Sequence, residues 1–386
     1  MKADRAEAAF KLMLACTHWS QDPAARRTAI AQACETLNGD WGRFAGLIER
    51  HHLIVPAVRS LRDAGIEPPE HLAEAASATQ TRALRLSARS VNLLRMLDDA
   101  GIAAMLMKGP VLSDMVFADP AIRHSSDIDI LVEWENFASA IAVLEQRGLK
   151  LHKAPPPQGS WRLDLWRTLA KDVALFDPES GCVVELHHRL KSPDALLPGL
   201  GFADAKDRHS LGGMQLRVFA PDDLFVYLCA HGSTSLWHRL KWVADIHALV
   251  ARHSAAEVER MQARSWELGT QRCTALALLV VHELWGCPLP QSVAQQLRDD
   301  SALQPLREAS LGRLCGAERR YTSIANTLDR RHLAQLRRDA AYRRALRREF
   351  VYDRELLERF HLNERVKWLY FPLRIALFVQ RKLGLR

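Results

Sequence analysis

Two aspartates interrupt an apolar run near the middle of the chain, in the stretch SSDIDILVEW. Asp127 and Asp129 are two residues apart, and a β-strand points side chains at positions i and i+2 to the same face. Two carboxylates this close repel each other unless a cation lies between them or one is protonated. Paired carboxylates suit Mg²⁺, so the pattern indicates a metal site. The alternative is a solvated pair at a strand end, capping the preceding turn.

A second apolar run, CVVELHHRL, is interrupted by Glu185 in the same way. Alternation along a strand places Glu185 and His187 on one face. If this strand lies beside the aspartate strand, Asp127, Asp129 and Glu185 form a three-carboxylate set. Such a set can hold two Mg²⁺ ions that clamp an in-line phosphoryl transfer, so these are the candidate metal-binding and catalytic residues. The alternative for Glu185 is a salt bridge to Arg189 or to a lysine.

The stretch MKGP, which precedes the aspartates, has features of a phosphate-binding turn. Gly109 lets the backbone approach a phosphate, and a helix that begins there offers free N–H groups. Lys108 supplies a positive charge. The stretch is not a Walker loop, because the pattern GxxxxGK[ST] is absent.

The surrounding sequence supplies the elements that must position these residues. Apolar residues at three- and four-residue spacing predict a helical region over residues 1–90, and Gly101 can end its long last helix in a left-handed cap. From 91 to 215, short apolar runs alternate with helical segments and end in an antiparallel strand pair. This pattern predicts a small α/β unit with mixed strands. From 216 to 386 the pattern is helical again and ends in a basic tail.

Within the C-terminal helical region, two features predict where helices begin and end. Asp222 and Asp223 follow a proline and can cap the first helix. Gly232 is expected to break that helix, so that Ser233 or Ser235 caps the next one.

Composition narrows the class of protein. The chain has 386 residues, enough for two or three domains, and a net charge of +8, which indicates either an anionic partner or simply an arginine-rich surface. Seven cysteines without a CxxC pair favour neither a disulfide framework nor a thiolate zinc site. HELWGC lacks the second histidine of a zinc hydrolase. With no signal peptide and no apolar run of about 18 residues, the cytoplasm is the expected location.

Several short motifs in one order carry a family resemblance. They are Lys108-Gly109, the stretch FADPAIR that ends at Arg123, the stretch DIDILV that begins at Asp127, and Glu185-Leu186-His187. Together they resemble the nucleotidyltransferase superfamily with the polymerase-β fold, and more closely a bacterial group of uncharacterised nucleotidyltransferase family proteins. The resemblance covers about Met105 to Leu249, less than half of the chain.

The resemblance implies a fold and an activity. The implied fold class is α+β, with a small mixed-sheet polymerase-β-like nucleotidyltransferase core at 91–215 flanked by N- and C-terminal helical regions. The implied enzyme moves a nucleoside monophosphate from a nucleoside triphosphate, such as ATP, to a hydroxyl acceptor with two Mg²⁺ ions. The acceptor stays open: a protein, a tRNA end, a sugar or a small molecule.

The resemblance also adds residues to the phosphate turn. It implies that Lys108, Gly109 and Ser126 hold the phosphates, and that Arg123 orders the loop or binds phosphate. One departure concerns Pro110, which stands where the superfamily usually has Gly or Ser and which has no backbone N–H to donate.

In the stretch HGSTSLWHRLKWVADIHAL, the resemblance implies that His231 and Lys241 reach the triphosphate or the base. The alternative is that Lys241 pairs with Asp245 on the surface, while Trp237 and Trp242 belong to the core.

The basic tail gives a second candidate function. Its arginine pairs could follow an RNA backbone, and the final segment, with Trp368, Phe371 and Phe378 among basic residues, could lie on an anionic membrane. The protein would then be a non-catalytic binding protein for RNA or membrane on a nucleotidyltransferase fold, peripheral at the membrane in the latter case. The alternative is a helical domain whose arginine stems cover apolar surface.

Overall fold

The computed structural model describes residues 2–19, 22–152, 155–157, 159–315, 330–352 and 354–382. The N-terminal part is helical, as the apolar spacing predicts. Its helices are α1 (Lys2–Cys16), α2 (Pro23–Leu37), α3 (Trp41–Arg50), α4 (Ile54–Asp63) and the 30-residue α5 (Glu70–Asp99). The predicted cap after α5 is confirmed, since Gly101 has a positive φ and its N–H donates to the carbonyl of Asp98.

The middle of the chain forms a five-stranded mixed sheet. Its strands are β1 (Ala104–Leu106), β2 (Asp127–Val132), β3 (Lys150–Leu151), β4 (Asp172–Asp177) and β5 (Cys182–His187). The spatial order is β1-β2-β5-β4-β3, in which only β2 and β5 run parallel. The predicted antiparallel pair of β4 and β5 and the mixed sheet are therefore confirmed. A separate hairpin follows, formed by β6 (Asp207–Leu211) and β7 (Met214–Val218).

Helices connect and cover these strands. Between the strands lie α6 (Pro110–Phe117), α7 (Trp134–Gln146) and α8 (Ser160–Leu169). The hairpin is followed by α9 (Pro221–Thr234), α10 (Leu240–Ala251), α11 (Ala255–Glu267), α12 (Gln271–Trp285), α13 (Gln291–Asp299) and α14 (Leu303–Cys315). The basic tail contributes helices at Ala340–Val351, Arg354–Arg359 and Tyr370–Lys382. Its last four residues lie outside the described ranges. The domain boundaries at 90 and 215 stay a prediction.

The sheet separates two hydrophobic cores. On one side, Ile128, Ile130 and Val132 of β2 pack with α5 and α7. On the other side, Leu131 joins the core built mainly from α9, α10 and α12. Burying each of these large aliphatic side chains stabilises the fold by about 1.5–3 kcal/mol. The register of β2 is thereby fixed, because a shift by one residue would turn its aspartates into the apolar core.

The cap predictions at the start of α9 are wrong. The first helical turn follows Ala220, and no side chain caps it. Asp222 and Asp223 instead pair with Arg260 and Arg264 of α11, at 3.1 and 2.7 Å. They still lie in the first turn, where negative charge complements the helix dipole.

The prediction that Gly232 breaks a helix is also wrong. This glycine lies inside α9, which continues to Thr234, and α10 begins after Arg239 without a side-chain cap from either serine. A Cβ at position 232 would lie 2.2 Å from the ring of Trp237. The glycine is therefore required by close packing. Over the ranges given above, no helix is both long enough and apolar enough to cross a membrane.

Candidate active site

The carboxylates converge because β2 and β5 are parallel neighbours. Their register places Asp129 directly opposite Glu185, and neighbouring strands lie about 4.8 Å apart. Asp127 lies two positions before Asp129 and projects from the same face of β2. This face of the sheet is covered by the C-terminal helices, and Asp129 is only 7 % exposed. Asp127, Asp129 and Glu185 therefore lie together where the two strands meet.

A buried histidine completes this cluster. The Nε2 atom of His187 lies 3.1 Å from Oδ1 of Asp129 and 3.2 Å from Oε2 of Glu185. One ligand atom of each of these three residues lies within 4.8 Å of the others, so the three could together hold a metal ion. His187 was not among the residues predicted for the site, although the alternation that selects Glu185 places both residues on one face.

Two lysines neutralise the carboxylates. The Nζ atom of Lys108 lies 3.2 Å from Oδ2 of Asp129, and that of Lys171 lies 3.1 Å from Oε2 of Glu185. Lys171 also contacts Asp172 at 2.5 Å. The alternative of a salt bridge from Glu185 to a lysine is therefore found, whereas Arg189 is not its partner, since the Arg189 guanidinium donates to the carbonyl of Arg167 instead. No pattern in the sequence pointed to Lys171, because its contact with Glu185 depends on the exact register of β4 against β5.

The electrostatics separate the two aspartates. Burial raises the pKa of Asp127, and the negative charge of Asp129 raises it further. Burial acts in the same direction on Asp129, but Lys108 and His187 outweigh it and hold its pKa well below the usual range. The hydrogen bond from His187 lowers the pKa of Glu185 to about 2. The site therefore holds ionised Asp129 and Glu185 beside an Asp127 that accepts a proton more readily.

The glycine turn has the geometry expected of a close backbone approach. Gly109 precedes α6 with φ 67° and ψ −134°, a conformation that side chains disfavour. Pro110 is the first residue of α6, where its missing N–H costs the helix nothing. Ser126 is exposed, whereas the neighbouring Ser125 is buried, and its Oγ has no hydrogen-bond partner.

Arg123 is held by an ion pair within the fold. Its Nε lies 2.9 Å from both carboxylate oxygens of Asp245 on α10, and both side chains are buried. Lys241 donates to the carbonyl of His124 at 3.4 Å, so a surface pair between Lys241 and Asp245 is wrong. Burial lowers the pKa of Lys241 to about 8, helped by the charge of Arg123. The loop before Asp127 is therefore tied to α10 at two points.

His231 and the tryptophans lie on the helical side of the site. Burial lowers the pKa of His231 well below its ordinary value, and Lys108 and Lys191 lower it further, so its ring is neutral. That ring contacts Trp242 edge-on, with centroids 5.3 Å apart. Trp237 is fully buried, as the core alternative predicts, whereas Trp242 is half-buried.

Lys191 is a further cation that the sequence did not indicate. Burial and the charges of Lys171 and Lys108 lower its pKa to about 7. Among the residues described, its amine has neither an ion pair nor a hydrogen bond. An unpaired amine beside other lysines is suited to bind an anionic ligand such as a phosphate.

These features define the class of protein. A mixed sheet that brings an Asp-x-Asp strand beside a glutamate strand, below a glycine turn, is the core expected of a nucleotidyltransferase, with helical regions on both sides. Residues 38–286, more than half of the chain, match the family described as uncharacterised nucleotidyltransferase, and the chain belongs to that family. It is an enzyme of the nucleotidyltransferase class, as the motifs predicted.

The solution structure of the antibiotic-resistance factor ANT(2'')-Ia aligns with 49 % of this chain and 93 % of its own, at 12 % identity and a TM-score of 0.33. No protein with a curated description matches this chain.

Proposed function

We propose that this protein transfers a nucleoside monophosphate from a nucleoside triphosphate to a hydroxyl acceptor, with the help of bound divalent cations. The observation that carries the proposal is the register of β2 and β5, which sets Asp129 opposite Glu185 with Asp127 on the same face. The converging carboxylate oxygens are ligands that suit a hard cation. Lysine side chains already compensate the negative charge of Asp129 and Glu185. Mg²⁺ is the expected ion, and ATP is a candidate donor.

The residues take the following roles in this proposal. Asp127, Asp129 and Glu185 hold two cations, which neutralise charge on the phosphates and on the leaving pyrophosphate. The turn at Gly109, together with Lys108, Ser126 and Lys191, holds the phosphates. His231 and Lys241 contact the triphosphate or the base, and Arg123 orders the loop through Asp245.

The proton of the acceptor hydroxyl passes to Asp127 in this scheme. Its carboxylate, at the start of β2, is less buried than that of Asp129 and is therefore the more accessible of the two to an acceptor. As the acceptor oxygen bonds to the α-phosphorus, the bond from that phosphorus to the pyrophosphate oxygen breaks.

Replacement of the aspartates tests the proposal. Asp127→Asn with Asp129→Asn should abolish the transfer of label from an α-labelled NTP to material in a cell lysate. The matched control is Asp98→Asn with Asp99→Asn, an exposed pair at the end of α5, which should leave transfer unchanged. Undiminished labelling by the active-site double variant would overturn the proposal. Mass spectrometry of the labelled product would identify the acceptor among protein, tRNA, sugar and small molecule.

A second candidate function rests on the C-terminal helix. In Tyr370–Lys382, Phe371, Ile375, Phe378 and Val379 are exposed at spacings that form one stripe. We propose that this stripe and the neighbouring basic residues hold a cytoplasmic protein against an anionic membrane.

Vesicle binding tests the membrane proposal. Binding to anionic vesicles should exceed binding to neutral ones, and Phe371→Ser with Ile375→Ser should remove the excess. Leu84→Ser, on an exposed leucine of α5, is the matched control. Binding of RNA without any vesicle binding would favour an RNA partner instead.

A further inference from the structure

We propose that one cation position in the site has a nitrogen ligand, Nε2 of His187, and that this position prefers a first-row transition ion such as Mn²⁺ to Mg²⁺. The other ligands of this position are Oδ1 of Asp129 and Oε2 of Glu185. The inference rests on the proposed function only in that both assign a cation to these carboxylates.

The distances fit a single shared ion. Nε2 of His187 lies 3.1 Å from the Asp129 oxygen and 3.2 Å from the Glu185 oxygen. Nitrogen and oxygen ligands bind such ions at about 2.0–2.2 Å, and two adjacent ligands of one ion are then about 3.0–3.5 Å apart. His187 has these two separations because Asp129 and Glu185 are register partners, and His187 follows Glu185 by two residues on the same face. The Asp129 and Glu185 ligand oxygens lie within 4.8 Å of each other.

The hydrogen bonding of the imidazole also favours an ion. If Nε2 carries the proton, the N–H is shared between the two carboxylates, and the lone pair of Nδ1 is buried without a donor. Nδ1 has no hydrogen-bond partner, and His187 is only 1 % exposed. A buried polar atom without a partner destabilises the folded state.

A carboxylate lies near the outer nitrogen of the ring. Asp172 is the register partner of His187 on β4, and its Oδ2 lies 4.0 Å from Nδ1. A histidine that binds a metal through one nitrogen usually directs the other N–H towards a carboxylate, which fixes the tautomer. With Nε2 free of its proton, Nδ1–H can turn to Asp172. Lys171 and Arg354 hold that carboxylate in place, at 2.5 and 3.0 Å.

The donor set determines the preferred ion. Mg²⁺ favours oxygen ligands and gives up water reluctantly. An imidazole nitrogen increases affinity for transition ions, of which Mn²⁺ also accepts carboxylates. A site of two carboxylates and one imidazole should therefore bind Mn²⁺ more tightly than Mg²⁺. The adjacent His188 cannot contribute, since its ring lies on the other face of β5, against Trp134 and Phe137.

Metal binding to the full-length protein without nucleotide tests this inference. We expect Mn²⁺, titrated by electron paramagnetic resonance, to bind at least tenfold more tightly than competing Mg²⁺. Pulsed electron paramagnetic resonance of the bound Mn²⁺ should show hyperfine coupling to the ¹⁴N nucleus of His187. His187→Gln should remove that coupling and weaken Mn²⁺ binding by about 10- to 100-fold, and Asp172→Asn should weaken binding while keeping the coupling. His209→Gln, which alters a histidine paired with Asp114 elsewhere, should change neither.

Two results would overturn the inference. One is bound Mn²⁺ without ¹⁴N coupling in the unaltered protein, a measurement that does not depend on whether a variant folds. The other is unchanged Mn²⁺ affinity in folded His187→Gln, which would leave the histidine as a donor that only orients the carboxylates. The proposed function fails separately: nitrogen-coupled Mn²⁺ without any transfer from NTP would refute the activity and support the site.

Discussion

Removal of one member of the buried ion pair between Arg123 and Asp245 should strongly destabilise the fold. Arg123 lies four residues before Asp127 and is 8 % exposed, while Asp245 is 2 % exposed. Asp245→Ala leaves the guanidinium buried without its partner, since both carboxylate oxygens lie 2.9 Å from Nε. Loss of one member of a buried pair costs about 3–5 kcal/mol. Because domains are typically stable by about 5–15 kcal/mol, a loss of this size is readily measured.

Urea denaturation of a single and a double variant measures this effect. Asp245→Ala should lower the free energy of unfolding by about 3–5 kcal/mol, whereas Arg123→Met with Asp245→Leu should recover most of the loss, because no charge is left unpaired. The exposed pair of Arg62 and Glu67, with a separation of 3.1 Å, is the control, and Glu67→Ala should cost at most about 1 kcal/mol.

Two results would refute this reasoning. The first is an Asp245→Ala variant no less stable than Glu67→Ala, which would show that the pair does not anchor the loop. The second is a loss of NTP affinity of 100-fold or more in the folded double variant, which would mean that the Arg123 guanidinium binds phosphate directly. If Arg123 only orders the loop, the NTP affinity of this variant should stay within a few-fold of that of the unaltered protein.

Three further predictions follow from single contacts. Gly232→Ala should lower the free energy of unfolding, measured in urea, by about 1–3 kcal/mol, because the added Cβ overlaps the Trp237 ring. The control Gly312→Ala, whose Cβ has no neighbouring atom within 4 Å, should not lower it. Equal effects of the two substitutions would contradict the packing argument. Burial lowers the pKa of His247 to about 4, so the unfolded protein binds an extra proton between pH 6.5 and pH 4. As the pH falls through this range, the free energy of unfolding should decrease by about 1.4 kcal/mol per pH unit more than that of the His247→Phe variant. A difference between the two proteins that does not change with pH would refute this. Because its pKa is about 7, Lys191 is charged at pH 6 and largely neutral at pH 8, so it should strengthen NTP binding more at pH 6. Lys191→Met should therefore weaken NTP binding about tenfold at pH 6 and less at pH 8. Equal losses of affinity at the two pH values would contradict this prediction.

The convergence of the carboxylates could be predicted because it depends on short-range periodicity. In DIDILV and CVVELH, one face is apolar and the other carries the acids, so burial of the apolar face orients Asp129 and Glu185. The sequence also predicted a helix at the glycine turn, and α6 begins there, at Pro110. The prediction also assumed that the two strands are neighbours, and the sheet confirms that they are.

Features that depend on distant partners could not be predicted. Asp222 has the sequence context of a cap, but Arg260 of another helix lies close enough to bind it. Gly232 has the context of a helix breaker, but the ring of Trp237 occupies the space beside it. Lys171 and Lys191 reach the site only through the strand order and the path of the loop after β5. No local pattern encodes any of these contacts.

The fate of each phosphate of the donor tests the central claim most directly. An NTP labelled at the α-phosphorus and one labelled at the γ-phosphorus are incubated separately with the protein, a divalent cation and cell lysate. If the protein transfers a nucleoside monophosphate, the α label will appear in the acceptor and the γ label only in pyrophosphate. Label from the γ position in the acceptor, or α label that is equally abundant with the Asp127→Asn, Asp129→Asn variant, would contradict the account.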